Sequence, residues 1–204
     1  MVRKNIVILI TRKLPEKIEK KLKENFNVIL NKTDKKLSYT ELKKKVSEVD
    51  ILIPCVSDTI DASIIKSAKK LKLIANFGNG VDNLDLVTAR EENVIVTNTP
   101  DVLTEDTADL VLTLVLMISR KVVEAQKKIS GGRWSGWGPS ETMGERIRGK
   151  NFGIIGMGRI GKAVAKRLNI LGVKIFYHNR NRLKNNEEKA LKAKYSILWL
   201  TVGT

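Results

Sequence analysis

Short β-branched runs alternate with lysine- and glutamate-rich stretches of helical pattern through the first half of the chain: NIVILI, PEKIEKKLKENF, NVIL, SYTELKKKVSEV, DILIP, DASIIKSAKK, LKLIANF, LDLVTAREE and NVIVTN. Strands this short and this apolar are buried on both faces, and parallel neighbours need a crossover that a helix supplies. The alternation therefore restricts the fold to the α/β class, a parallel sheet with helices on both faces, and predicts one such domain over residues 1–100. With 42% hydrophobic residues in 204, the chain has material for one large or two small domains with cores.

Several function classes are set aside by composition. Cys55 is the single cysteine, so neither a disulfide framework nor a cysteine-based zinc site is available, and a reducing, cytoplasmic setting is expected. The basic start MVRKNIVILI runs into TRKLPEK without a cleavage pattern and reads as a first strand. The longest apolar stretch, LVLTLVLMI at 110–118, falls well short of the ~20 residues that span a bilayer, so no membrane segment is expected. A net charge of +16 invites a nucleic-acid reading, but the lysines are interleaved with glutamates at helical spacing, the pattern of solvated helix faces. No nucleic-acid partner is expected, although a basic surface could steer anionic substrates.

The segment TEDTADLVLTLVLMISRKVVEAQKKI opens with Thr104 as a candidate N-cap and reads as one helix of some 25 residues, apolar nearly all round in its first half and so expected to be buried between domains or subunits. A glycine- and tryptophan-rich loop, SGGRWSGWGPSETMGERIRG, follows, and NFGIIGMGRIGKAVAKRLNILGVKIFYHNR then opens a second α/β unit within residues 101–204.

That second unit carries Gly156, Gly158 and Gly161 as G-x-G-x-x-G, after a strand (FGII) and before an amphipathic helix and a further strand (VKIFYH). In this context the three glycines have separate roles. Gly156 allows the tight turn, Gly158 the approach of a pyrophosphate and Gly161 helix–strand packing, with Arg159 and Ile160 in the first helical turn facing the anion. A glycine turn without a ligand is the competing explanation. An acidic residue at the end of the second strand would accept the ribose hydroxyls of NAD. Asn179 stands there instead, 23 positions after Gly156, followed by Arg180 and Arg182. An uncharged residue flanked by arginines accommodates a 2′-phosphate, so NADP is expected ahead of NAD.

These segments, together with NFGNGVDNLDL, NTPDVLTEDTADL, GGRWSGWGP and YHNRNR, resemble the D-isomer-specific 2-hydroxyacid dehydrogenases, most closely the glyoxylate/hydroxypyruvate reductase branch, over about Asp50 to Arg182. The resemblance implies a flavodoxin-like substrate domain followed by the first part of a Rossmann dinucleotide-binding domain, with the active site in the cleft between them. It implies that backbone N–H groups of Asn79 and Gly80 bind the carboxylate of a 2-ketoacid, with Val56 and Ser57 lining the same pocket. Trp134 and Trp137 resemble tryptophans that this branch places near a partner subunit's substrate pocket, with Trp137 the substrate-side candidate; an interface anchor is the other explanation, and both imply a homodimer for a full-length form.

The family's chemistry uses an Arg, a Glu and a His that follow the YHNR-type segment, so they are expected to lie beyond Thr204 and no catalytic residue is assigned within the chain. The only histidine, His178, belongs to the cofactor strand end or to solvent. The resemblance fades in YSILWLTVGT, where Trp199 sits in an apolar tail, and the chain is expected to be C-terminally truncated. Three functions remain open: reduction of glyoxylate or hydroxypyruvate by hydride transfer, a non-catalytic dinucleotide-binding or dimerising fragment, and, least favoured, nucleic-acid binding through the +16 charge, which a steep salt dependence of affinity would distinguish.

Overall fold

A computed structural model describes residues 5–197; residues 198–204, Trp199 among them, lie outside it. The chain divides into two compact units at Val102/Leu103.

The first unit runs β1 (Val7–Ile10), α1 (Glu16–Asn25), β2 (Asn27–Leu30), α2 (Tyr39–Val46), β3 (Ile51–Ile53), α3 (Ala62–Ser67), β4 (Leu73–Ala75), α4 (Leu86–Glu91) and β5 (Ile95–Thr97). Its sheet is parallel throughout, in the order β2-β1-β3-β4-β5, which is the doubly wound flavodoxin-like order. Leu9, Leu52 and Ile74 from three neighbouring strands pack with Val46, Ile60, Ile64 and Ile65 in one apolar layer. Ile8 and Ile10, pointing the opposite way by strand alternation, pack with Leu14, Leu22 and Phe26 in a second. The sheet is thus covered on both faces, as the uninterrupted Ile/Leu/Val runs require.

Side-chain caps fix where the short helices begin. Ser38 Oγ accepts from Glu41 N while the Glu41 carboxylate accepts from Ser38 N, the reciprocal capping box, and the Ser38 contacts hold the Glu41 carboxyl below its usual range. Asp61 accepts from Ile64 N at 3.0 Å and Asp85 from Thr88 N at 2.9 Å.

The second unit runs α5 (Thr104–Ser119), α6 (Val122–Ser130), β6 (Asn151–Ile155), α7 (Arg159–Ile170), β7 (Lys174–His178), α8 (Asn185–Leu191) and β8 (Ala193–Tyr195). Its strands are parallel in the order β6-β7-β8. The core gathers Ile154, Ile175 and Tyr177 from the sheet and Ala163, Val164, Ala165 and Leu168 from α7, with Ala108, Val111, Leu112 and Val115 of α5 against them.

Two expectations are corrected here. The long helix is two helices, because Lys121 adopts a left-handed conformation (φ 50°) that ends α5 and precedes α6. Thr104 is not a cap: Leu103 occupies that position without a side-chain hydrogen bond, and Thr104 is the first helical residue. Within this unit α5 is covered on one face. Ala108 alone among its residues is buried, whereas Leu110, Leu114 and Ile118, spaced one turn apart, form an exposed apolar stripe. Among the described residues no helix is long and apolar enough to cross a membrane.

Because Asp61 satisfies one of the donors at the start of α3 and no other side chain caps that helix, Asp61→Ala is expected to destabilise the first unit by about 1 kcal/mol. Urea unfolding monitored by circular dichroism measures this, and an unchanged midpoint would mean that solvent replaces the cap without cost.

Candidate functional site

The loop after β6 is built from glycines with separable reasons. Gly156 sits at φ +92° with its N–H bound to His178 O at 2.9 Å, a left-handed conformation costly for any residue with a Cβ. A Cβ on Gly161 would collide with the Gly156 carbonyl, so Gly161 lets α7 pack against the loop. Gly158 differs: it precedes α7, its φ is −79°, and a Cβ there meets nothing within 4 Å. Folding does not demand glycine at that position, whereas close approach of a ligand does. Arg159 and Ile160 open α7, whose start has no side-chain cap, so the positive end of the helix dipole faces the loop. The cradle fits a dinucleotide pyrophosphate.

A recess of about 460 Å³ beside this loop is lined by Ile155, Gly156, His178, Asn179, Arg180 and Asn181. Asn179 Oδ1 accepts from Met157 N at 2.6 Å, which ties the glycine loop to the end of β7 and leaves the Asn179 carboxamide NH2 as a donor. Tyr195 donates its hydroxyl to Asn179 O at 3.3 Å. His178 Nδ1 lies 3.0 Å from Ser196 O, and the ring stacks on Tyr195.

The two arginines at this strand end have different surroundings. Arg180 is exposed on the wall of the recess and makes no ion pair among the described residues. Arg182 is committed: its Nε and Nη2 donate to the two oxygens of Glu188 at 2.9 and 2.8 Å, and its guanidinium stands 5.7 Å from the centroid of Tyr195. Glu188 Oε1 also accepts from the Tyr177 hydroxyl at 2.6 Å. Arg182 and then Tyr177 hold the Glu188 carboxyl down to about 2, while burial, followed by the bond to Glu188, pushes the Tyr177 phenol up. Of the two arginines expected at a phosphate, Arg182 is thus held by a bidentate pair with Glu188, whereas Arg180 lines the recess.

In the first unit the candidate substrate residues follow β3 and β4. Pro54 O accepts from Phe77 N, and Cys55 bridges Phe77, so the two loops leave the sheet side by side. Val56 and Ser57 are exposed. A Cβ on Gly78 would run into Val56, so that glycine serves packing. Gly80 has no positive φ, and a Cβ there meets only Asp82 Oδ2 at 3.6 Å, so, as at Gly158, the fold itself does not require glycine. Buried Asp58 fixes the Val56–Ser57 turn by accepting from Cys55 N at 2.8 Å and from the Thr11 hydroxyl.

Sequence reasoning passed over Arg12, whose Nη1 donates to Ser57 Oγ at 3.2 Å while Asp34 accepts from its Nε at 3.0 Å. It also passed over the asparagines of the β4 and β5 ends, whose signal was their recurrence in ANFGNG and VTNTP. Trp134 and Trp137 are both exposed, Trp137 at 86%, and neither makes a ring contact among the described residues. No group of acidic, histidine or cysteine side chains suited to a metal ion occurs among them either.

Two parallel α/β units, the first in flavodoxin-like order and the second built on a strand, glycine loop and helix, define a protein in which a catalytic domain is followed by part of a nucleotide-binding domain. Residues 8–201 match the family model for the D-isomer specific 2-hydroxyacid dehydrogenase catalytic domain, and the chain belongs to that family. It is 40% identical over 195 residues to a glyoxylate reductase of Thermococcus onnurineus, covering 94% of this chain and 58% of the relative. A Thermus thermophilus protein of solved structure superposes with a TM-score of 0.83 at 40% identity, over 94% of this chain and 60% of that one. A glyoxylate reductase of Paecilomyes thermophila superposes with a TM-score of 0.74 at 27% identity, over 94% and 60% respectively. The chain thus spans somewhat over half the length of these relatives.

The depressed Glu188 carboxyl predicts a pH signature. Its folded value of about 2 lies below the usual 4.5, so the pair's stabilisation is fully present above pH 4.5 and is lost as pH falls toward 2. Melting temperatures of the native chain and Glu188→Gln are expected to differ at neutral pH and to converge across that acid range. A gap that stays constant down to pH 2 would show that the pair is not what the substitution removes.

Proposed function

We propose that the chain supplies the substrate loop and the dinucleotide cradle of an NAD(P)-dependent D-2-hydroxyacid dehydrogenase that reduces glyoxylate or hydroxypyruvate to glycolate or D-glycerate. In this reading residues 1–100 form the substrate domain and 101–204 the cofactor domain. Val56, Ser57, Asn79 and Gly80 attend the 2-ketoacid; Gly156, Gly158, Arg159, Ile160, Gly161, Asn179 and Arg180 attend the dinucleotide. The observation that carries the reading is that Gly80 and Gly158 occupy positions where folding would accept a side chain and only an approaching ligand would not. When bound, the dinucleotide supplies the hydride that reduces the keto carbon. The chain's own residues bind and orient: the Asn79–Gly80 backbone takes the carboxylate, and the α7 N-terminus takes the pyrophosphate.

NADP is the proposed cofactor ahead of NAD, with Arg180 as the phosphate-binding cation. The exposed stripe of Leu110, Leu114 and Ile118 and the exposed Trp137 support a homodimer, in which that tryptophan serves as an interface or substrate-side contact. A cytoplasmic setting accords with the lone cysteine. Calorimetric titration is expected to show NADPH binding tighter than NADH, and Arg180→Ala is expected to weaken NADPH by about tenfold with little effect on NADH, since one charge-assisted contact of ~1.5 kcal/mol is lost. Equal affinities for the two cofactors would sink the NADP assignment.

A non-catalytic, dinucleotide-binding role is favoured for this chain by one observation. Its single histidine, His178, has Nδ1 beside Ser196 O and its ring against Tyr195, and among the described residues no carboxylate orients it as a general acid. The two readings separate on turnover. The 204-residue protein is expected to consume no NADPH with glyoxylate above background, because reduction needs a proton donor for the developing alkoxide. Enzyme-like turnover by protein of confirmed mass would establish that a donor other than a paired histidine operates.

A further inference from the structure

Three consecutive peptide carbonyls of the loop after β4 are pinned. Gly78 O accepts from Thr99 N at 3.0 Å, Asn79 O from Asn98 Nδ2 at 2.7 Å, and Gly80 O from Asn76 Nδ2 at 2.8 Å. No peptide bond among the described residues is cis, and in a trans peptide the N–H points opposite to the C=O. Each pinned carbonyl therefore turns the next N–H, of Asn79, Gly80 and Val81 in succession, away from its anchor. None of these three N–H groups donates to an acceptor within the described residues.

The anchors are themselves held. Asn76 is 1% exposed, and its N–H donates to Thr97 O at 2.8 Å. Its carboxamide exchanges bonds with Asn83, Nδ2 to Oδ1 at 3.4 Å and the reverse at 3.3 Å, and Asn83 Nδ2 also reaches Cys55 O. With Oδ1 engaged by Asn83, Asn76 has Nδ2 directed at Gly80 O. Asn98 comes from the end of β5 and adds the second side-chain donor. An Asp at either place would set a carboxylate against a carbonyl.

We propose that Asn76 and Asn98 are positioning residues: they hold a row of outward-facing N–H groups ready for a small carboxylate, and so determine the affinity of the Asn79–Gly80 loop without touching the ligand. The proposal rests on the carboxylate reading of that loop. Fixing the peptide planes at folding removes an ordering cost from binding, and fixed backbone donors are more effective than ones that must reorient.

Two measurements on the 204-residue protein test it. Backbone ¹⁵N relaxation is expected to give order parameters for Asn79, Gly80 and Val81 near ~0.85 in the native sequence, falling toward the flexible range below about 0.6 in Asn98→Ala; Asn98 is exposed, so this variant keeps its fold. Titration with oxamate, followed through the same three amides, is expected to give saturable shifts that weaken by about three- to tenfold in Asn98→Ala and in Asn76→Ala, the range of one neutral hydrogen bond. The melting temperature of Asn98→Ala should not change. Unchanged order parameters, or equal oxamate affinity in the native protein and Asn98→Ala, would overturn the positioning role. No oxamate response in the native protein would instead overturn the carboxylate reading, a result distinguishable because the order parameters report the clamp without any ligand.

Discussion

Parallel strand pairing governs the arrangement of everything else in this protein. A parallel sheet sends each chain segment back across its face before the next strand begins, so all the strands of a sheet finish at one edge. In the first unit that edge collects Thr11 and Arg12 after β1, Cys55 to Asp58 after β3, Asn76 to Gly80 after β4, and Asn98 and Thr99 after β5. In the second it collects Gly156 to Gly158 after β6 and Asn179 to Arg182 after β7. Residues far apart in sequence become neighbours there because the Ile/Leu/Val runs behind them pair in register, and both candidate ligand sites are loops of these edges.

The two loops present N–H groups by different means. The cofactor-side loop uses a helix: Gly158 leads directly into α7, and first-turn donors without intrahelical partners are a property of any helix start. The substrate-side loop has no helix behind it and relies on side-chain carboxamides from neighbouring strand ends to turn its carbonyls inward. The first method comes with the secondary structure and leaves a sequence motif. The second is tertiary, assembled from residues up to 22 positions apart, Asn76 and Asn98, and leaves none.

This difference explains what could be read from the sequence. The fold class followed from strand-helix alternation because burial on both faces of a parallel sheet dictates continuous apolar runs, and the G-x-G-x-x-G loop followed from the physics of a strand-to-helix turn. The break at Lys121 was illegible: SRKVVE has helical spacing on both sides, and a single left-handed lysine carries no compositional mark. The surroundings of Arg182 were illegible for a related reason. Its partner Glu188 lies in α8, and Glu188 is turned inward by Tyr177 from the buried face of β7. Charge counting near Asn179 saw two equivalent arginines, whereas the structure distinguishes one with an acid already in its fork from one that has none among the described residues.

The distinction also separates two kinds of residue at this strand end. Arg182 belongs to a stack of Glu188, Tyr177 and Tyr195 that joins α8 to β7 and β8, so exchanging it disturbs the architecture of the strand end. Arg180 stands outside that stack. Charge at position 180 can vary, by drift or by design, while the scaffold that holds the strand end stays intact.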